Sequence, residues 1–391
     1  MTPGLPPARL GDRSLFPDRE PAAYLAHAAV SPPSLAARRA VIAHLGDLAR
    51  RGAGAFGAAV EQRARLRSKL AAFLNAPEGT VALAQNTSVG VTDIALSIPW
   101  CAGNRVVLFR GEFPANVTPW QRAAALFSLE IVWCDADLWR TDPDAARAQL
   151  SDALSYGARV VAVSAVQFQT GHRMPLRELS DLAHAAGAEL FVDAIQGLGA
   201  VPIDVEADGV DHLASGGHKW LMGVEGAGLL YARRPELHAP HLAGWLSHTE
   251  AFSFLSEGAG RLRYDRAFRD DALRFEGARP TRRATSRWRR ASTSSRRSRP
   301  RRSTRTRTRT STRSKRRWWS AASPASARRT RRVARASCRC CRPRGARRAR
   351  DAARARGAGR GHVVPRRVPP LRAALAERRR ARGARGARRG G

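Results

Sequence analysis

Charge divides this chain at a single place, and the division limits which part of it can fold. Of the 69 Lys+Arg residues, 41 fall in residues 280–391, where Asp351 and Glu377 are the only acids; the preceding residues hold 28 basic and 30 acidic side chains. Residues 280–391 therefore carry 41 − 2 = +39 and the preceding part 28 − 30 = −2, which sum to the net charge of +37. There, residues 304–309 read T-R-T-R-T-R, and the final residues read A-R-G-A-R-G-A-R-R-G-G. So many like charges without an apolar period cannot be packed into a core. Residues 280–391 are expected to be disordered, or the product of a displaced reading frame in GC-rich coding DNA. A folded body must be built from what precedes Arg279.

Over residues 22–263 short apolar runs alternate with helical patterns. Candidate strands are 80–83, 105–109, 130–134, 159–164, 189–192, 212–214 and 228–231. Strands that are nearly all apolar and separated by helices read as a buried, mostly parallel sheet covered on both faces, an α/β class. Residues 175–186 place Leu176, Leu179, Leu182 and Ala183 on one helical face. Phe56–Leu74 carries charge along one side, which suits a peripheral helix.

Cys101 and Cys134 stand singly in the balanced part, and Cys338, Cys340 and Cys341 lie in the basic part. An odd count without even spacing gives no disulfide framework, so a reducing cytoplasm is expected. The N-terminus, with Pro3, Pro6, Pro7, Asp12 and Asp18, lacks the apolar core of a signal peptide. No run reaches the ~18 apolar residues of a membrane helix, so no membrane partner is expected, and no metal site either.

The strongest chemical signal is Ser215-Gly216-Gly217-His218-Lys219-Trp220-Leu221, followed by glycines at 223, 226 and 228. Upstream stands Phe191-Val192-Asp193-Ala194-Ile195-Gln196-Gly197. A lysine that forms a Schiff base needs a cavity, commonly on a turn after a strand, with glycines letting a cofactor approach the backbone. An aspartate at a strand's carboxyl end can hold a protonated pyridine nitrogen. The interval between Asp193 and Lys219 has room for one more βα excursion, bringing both to one crevice. Lysines are scarce before Arg279, only Lys69 and Lys219.

Here the chain resembles the class V aminotransferase-fold family of pyridoxal-phosphate (PLP) enzymes, which includes cysteine desulfurases, kynureninases and isopenicillin N epimerase-like proteins. The resemblance covers roughly residues 22–277. It rests on five motifs in register: Tyr24-Leu25-Ala26-His27-Ala28-Ala29, Asn86-Thr87-Ser88, Gly111-Glu112-Phe113-Pro114-Ala115-Asn116, residues 193–196, and His218-Lys219-Trp220. It implies the large domain of the aspartate aminotransferase-like fold (fold type I) over residues 22–263, with a seven-stranded sheet. Residues 1–21 are then an N-terminal segment and 264–279 the start of a smaller domain.

The resemblance also implies roles. Lys219 would carry the cofactor as a Schiff base, with Asp193 at the pyridinium nitrogen and Gln196 at the phenolic oxygen. Thr87 and Ser88 would open a helix whose free N–H groups favour a phosphate, though from the residues alone they are equally an ordinary cap. Ser215 and His218 resemble the serine and histidine that also bind the phosphate; in cysteine desulfurases that serine lies one residue nearer the lysine. Phe113 stands where desulfurases put a ring-stacking histidine; it can stack but cannot shuttle protons. Gln167 falls where relatives have an asparagine near cofactor and substrate, and a core or loop glutamine reads equally well. His27, Asn116 and His172 receive no role.

Arg274-Phe275-Glu276-Gly277 looks like the start of a segment that continues Gly-Thr in relatives; here Ala278-Arg279 follows and the resemblance ends. The small C-terminal domain and its substrate-carboxylate arginine are not recognisable. The expected function is a PLP enzyme acting on an amino acid (transaminase, desulfurase or C–S lyase, or epimerase), homodimeric, and impaired in this chain. The alternative is a non-catalytic remnant of the fold whose basic tail binds nucleic acid non-specifically.

Overall fold

The nearly continuous apolar runs become strands because both of their faces are covered. A computed structural model describes residues 13–253, 257, 260 and 262–277. The helices α1 (Leu35–Arg51) and α2 (Phe56–Leu74) lead to β1 (Val81–Ala84). Then follow α3 (Thr87–Ser97), β2 (Arg105–Arg110), α4 (Thr118–Phe127) and β3 (Glu130–Asp135). The short α5 (Leu138–Thr141) and α6 (Pro143–Ser155) precede β4 (Val160–Ser164). The last elements are α7 (Leu176–Ala185), β5 (Glu189–Asp193), β6 (His212–Gly216) and β7 (Gly228–Ala232).

These seven strands form one sheet in the order β1-β7-β6-β5-β4-β2-β3. All adjacent pairs are parallel except those of β7, which runs antiparallel to both β1 and β6. Six strands therefore point the same way, and their carboxyl ends share one side. One face packs Leu74, Leu150, Leu154, Leu179 and Ala183 of the helices against Val107, Val161, Leu190 and Leu213. The other packs Val91, Ile94, Trp120 and Ala123 against Val106, Val160, Phe191 and Ala214. Successive strand residues alternate between the two cores, which is why both parities are apolar.

Local chemistry sets the ends of the helices. Asn86 caps α3 by accepting from Val89 N at 2.9 Å, and Asn75 closes α2 in the left-handed conformation (φ 52°). Gly90 lets α3 lie flat on β6: a Cβ there would come within 2.8 Å of the Ala214 Cβ. The connection from β5 to β6, where a helix had room, is made of turns instead. Pro202 and the positive φ of Gly199 (94°) and Gly209 (68°) break any helical run.

Side chains also cap the outermost strands. Glu276, buried beside the 3₁₀ turn Ala272–Phe275, accepts from Leu83 N at 2.9 Å, from Arg63 at 2.6 Å and from Arg67 at 3.2 Å. Gln149 Oε1 accepts from Asp135 N at 2.7 Å. No helix of the described residues is long and apolar enough to cross a membrane. The expectations for residues 280–391 lie outside the described residues: the disordered or frame-displaced segment, the nucleic-acid attraction and the three unassigned cysteines.

Candidate active site

Three chain segments meet at the carboxyl side of the sheet, and each arrives there for a structural reason. Asp193 is the last residue of β5 and is buried. Lys219 follows β6 in a turn whose main chain is held by Gly217 N to Ala227 O (2.7 Å), Gly223 N to Gly217 O (2.8 Å) and Met222 N to Lys219 O (2.9 Å). A Cβ on Gly228 would lie 2.5 Å from Ser215 O, so this turn folds closely on the start of β7 only with glycine there. The amino end of α3 reaches the same turn, where Thr87 Oγ1 accepts from Gly216 N at 2.9 Å.

The electrostatics follow from burial. Asp193 is 2 % exposed, and its carboxylate accepts from Ile195 N at 3.0 Å without a salt-bridge partner among the described residues. Desolvation lifts its pKa to about 7; the charge of Glu112 adds to the rise, and Lys219 opposes it. Burial also lowers the Lys219 pKa, with Asp193 pulling the other way. His218 is shifted down by desolvation and then by the neighbouring Lys219 charge. Lys219 Nζ lies 5.8 Å from the centroid of the Phe113 ring, which itself packs edge-on against Phe168 at 5.2 Å.

Other residues singled out in the sequence are tied into this neighbourhood. Gln196 donates through Nε2 to Ala28 O (3.0 Å) and accepts through Oε1 from Trp220 Nε1 (3.1 Å). Ser215 is buried and donates to Gly216 O at 3.2 Å. Gln167 is buried and donates to Glu112 Oε1 at 2.9 Å. Ser88 is exposed at the first turn of α3. The segment 24–31 straps the lysine turn: Ser31 N donates to His218 O at 2.8 Å, and the His27 ring lies 5.6 Å from that of Trp220.

Sequence reasoning assigned no role to Glu112, yet it accepts hydrogen bonds from Ser164 N (2.7 Å), Ser164 Oγ, Gln167 Nε2 and Asn116 Nδ2 (3.3 Å). The one available signal was a glutamate directly after a glycine, Gly111, at the end of an apolar run. Asn116, likewise without a role in the sequence, links this carboxylate to Trp120 Nε1 at 3.3 Å.

A probable cysteine desulfurase of Methanothermobacter thermautotrophicus is 30% identical over 213 residues, 53% of this chain and 52% of the relative. A cysteine desulfurase of Dickeya dadantii is 32% identical over 229 residues, 56% and 54% of the two chains. The chain thus spans about half the length of these curated relatives. Among solved structures, a mutant of C-DES with glycine covalently linked to its PLP cofactor superposes with a TM-score of 0.60. It shares 26% identity, over 68% of this chain and 69% of that one. The family model for aminotransferase class-V matches residues 26–278, a span that takes in the whole sheet, Asp193 and the lysine turn. The chain belongs to the class-V aminotransferase family of PLP-dependent enzymes.

Proposed function

We propose that this protein is a PLP-dependent enzyme acting on an amino acid, with Lys219 as the residue that holds the cofactor covalently through its amine. The observation that carries the reading is the convergence of Lys219 and Asp193, each shifting the other's titration, at the carboxyl side of the sheet.

The residues present fit the group. Asp193 is a buried carboxylate with a single backbone donor, and a protonated ring nitrogen would give it the cationic partner it lacks. The amino end of α3, with Thr87 and Ser88, suits a phosphate, and His218 and Ser215 stand on the adjoining turn. Phe113 offers an aromatic face near Lys219 Nζ. Gln196 would hold the phenolic oxygen by giving up one of its two present bonds, and Gln167 would stand near the cofactor through its bond to Glu112.

PLP, when bound, supplies an electron sink for a carbanion developing at the substrate's α-carbon. The chain supplies the rest. Burial lowers the Lys219 pKa, which raises the share of neutral Nζ able to take a proton from that carbon. Asp193 would hold the ring-nitrogen proton, and Phe113 would offer the ring one aromatic face without offering a proton. The reaction belongs to the C–S lyase or desulfurase, transaminase or epimerase group. Relatives of the chain include cysteine desulfurases, which supports the first.

On this reading residues 22–263 are the cofactor domain and 264–279 open a second one, in a cytoplasmic homodimer. Turnover by this chain is low, because no motif of the second domain follows Gly277. Borohydride reduction of the PLP-treated protein, followed by peptide mapping, should place a stable adduct on Lys219. Lys219→Ala should abolish it, and an adduct found on Lys69 would sink the assignment.

A further inference from the structure

Glu112 is a buried acid that the proposed chemistry leaves without a task. It follows β2, and its carboxylate is fixed on the end of β4, accepting from Ser164 N at 2.7 Å and from Ser164 Oγ. Ser164 pairs in register with Asp193 on the next strand, and Ala165 N donates to Asp193 O at 2.9 Å. Three adjacent strands, β2, β4 and β5, thus bring two buried carboxyl groups to neighbouring strand ends.

Hydrogen bonds satisfy Glu112 without neutralising it. Its donors are the main chain and hydroxyl of Ser164 and the amides of Gln167 and Asn116, none of them cationic. A buried charge is poorly screened, so an uncompensated anion acts on whatever titrates beside it. Two charged side chains reach Asp193: Glu112 from the β2 side, and Lys219 from the turn after β6, which acts in the opposite sense. His218, next to Lys219, is pushed toward its neutral form by burial. In register, β4 and β6 present Ser164 and Ala214 to Asp193, and α3 brings Thr87 to the lysine turn; none of these is charged.

We propose that Glu112 is a positioning residue for a proton: a fixed anion beside the Ser164–Asp193 pair that keeps a proton on Asp193, and on the cofactor's ring nitrogen once that ring faces Asp193. The second half rests on the PLP reading above; the first half does not. A like charge nearby disfavours ionisation of a second acid, and here the first acid is held in place by four neutral donors.

Asp193 can be followed without cofactor. In full-length protein carrying ¹³C-labelled aspartate, its carboxyl carbon, assigned by its loss in Asp193→Asn, is titrated across neutral pH. Glu112→Gln should lower the midpoint by roughly half to one pH unit, as removal of a unit charge several ångströms away implies. Ser164→Ala breaks one bond to Glu112 but keeps the charge, and should leave the midpoint in place. An unmoved or raised midpoint in Glu112→Gln would overturn the proposal. So would an equal fall in Ser164→Ala, which would assign the effect to loosened packing. Should Glu112→Gln fail to fold, the wild type decides: the Glu112 carboxyl carbon must show its ionised form while Asp193 titrates, and a neutral Glu112 there overturns the proposal. In protein loaded with ¹⁵N-labelled PLP, the ring nitrogen should lose its proton at a lower pH in Glu112→Gln than in wild type. A ring nitrogen that behaves alike in both would overturn the second half. A chain that takes up no PLP would defeat the proposed function, while the aspartate titration would still judge Glu112.

Discussion

At Asp193 a functional requirement is set against stability. Without a cationic partner its carboxyl is kept protonated up to about pH 7, against an ordinary value of 3.8. A raised native pKa means that the folded state binds the proton more tightly than the unfolded one. The associated stability is complete below about pH 4 and is lost as pH rises through 7. Asp193→Asn removes that loss. Cofactor-free variant and wild type should therefore be about equal at pH 4, and the variant should be more stable by roughly 2–4 kcal/mol at pH 8. Urea titrations across this range check it; a variant less stable at pH 8 would mean that the carboxylate already has a partner. Asp93 on α3 is raised to about 7 by burial as well, so the variant's own profile still slopes. In the PLP-loaded protein the order should reverse, because the asparagine cannot pair with a charged ring nitrogen.

Among the elements, α3 carries the clearest geometric demand. Gly90→Ala would put a methyl 2.8 Å from the Ala214 Cβ, and neither backbone is free to yield. It should destabilise the protein by about 1–3 kcal/mol despite the better helix propensity. Gly57→Ala, where nothing lies within 4 Å, should stabilise it by about 0.5–1 kcal/mol. Thermal unfolding of the two variants gives the comparison, and the same sign for both would refute the packing account. The same contrast explains what could be read in advance. All seven strands were legible because burial on both faces leaves an unbroken apolar run, as in Val160–Ser164. Phe56–Leu74 was legible from its charged side, whereas α1 carries Val41, Leu45 and Leu48 on one face yet buries none of its residues among the described ones. Lys219 and Asp193 stood out because each lies in a short contiguous motif. Glu112 did not: three of its four donors come from Ser164 and Gln167, brought near only by the order of strands. The turns in place of a helix before β6 were equally hidden, since spacing alone says how many residues are available and not which φ they adopt.

For the whole molecule, two kinds of attraction should separate by salt. The 41 basic and 2 acidic residues after Arg279 give that part +39, so the full chain should hold polyanions such as heparin at low salt and release them steeply as salt rises. Lys219 is half-buried beside the buried Asp193, Ser215 and Thr87, where screening is weaker than at the surface. In 1 M NaCl, heparin binding should vanish while the reducible PLP absorbance stays; loss of both together would place the cofactor on the basic tail. The caps on the outer strands have a different consequence. A sheet that ends in free main-chain N–H groups offers itself as a template to any passing strand. Leu83 N and Asp135 N, on opposite borders of this sheet, are occupied by Glu276 and Gln149. Each cap withdraws one rung from edge-to-edge growth, so these two side chains guard solubility as well as shape.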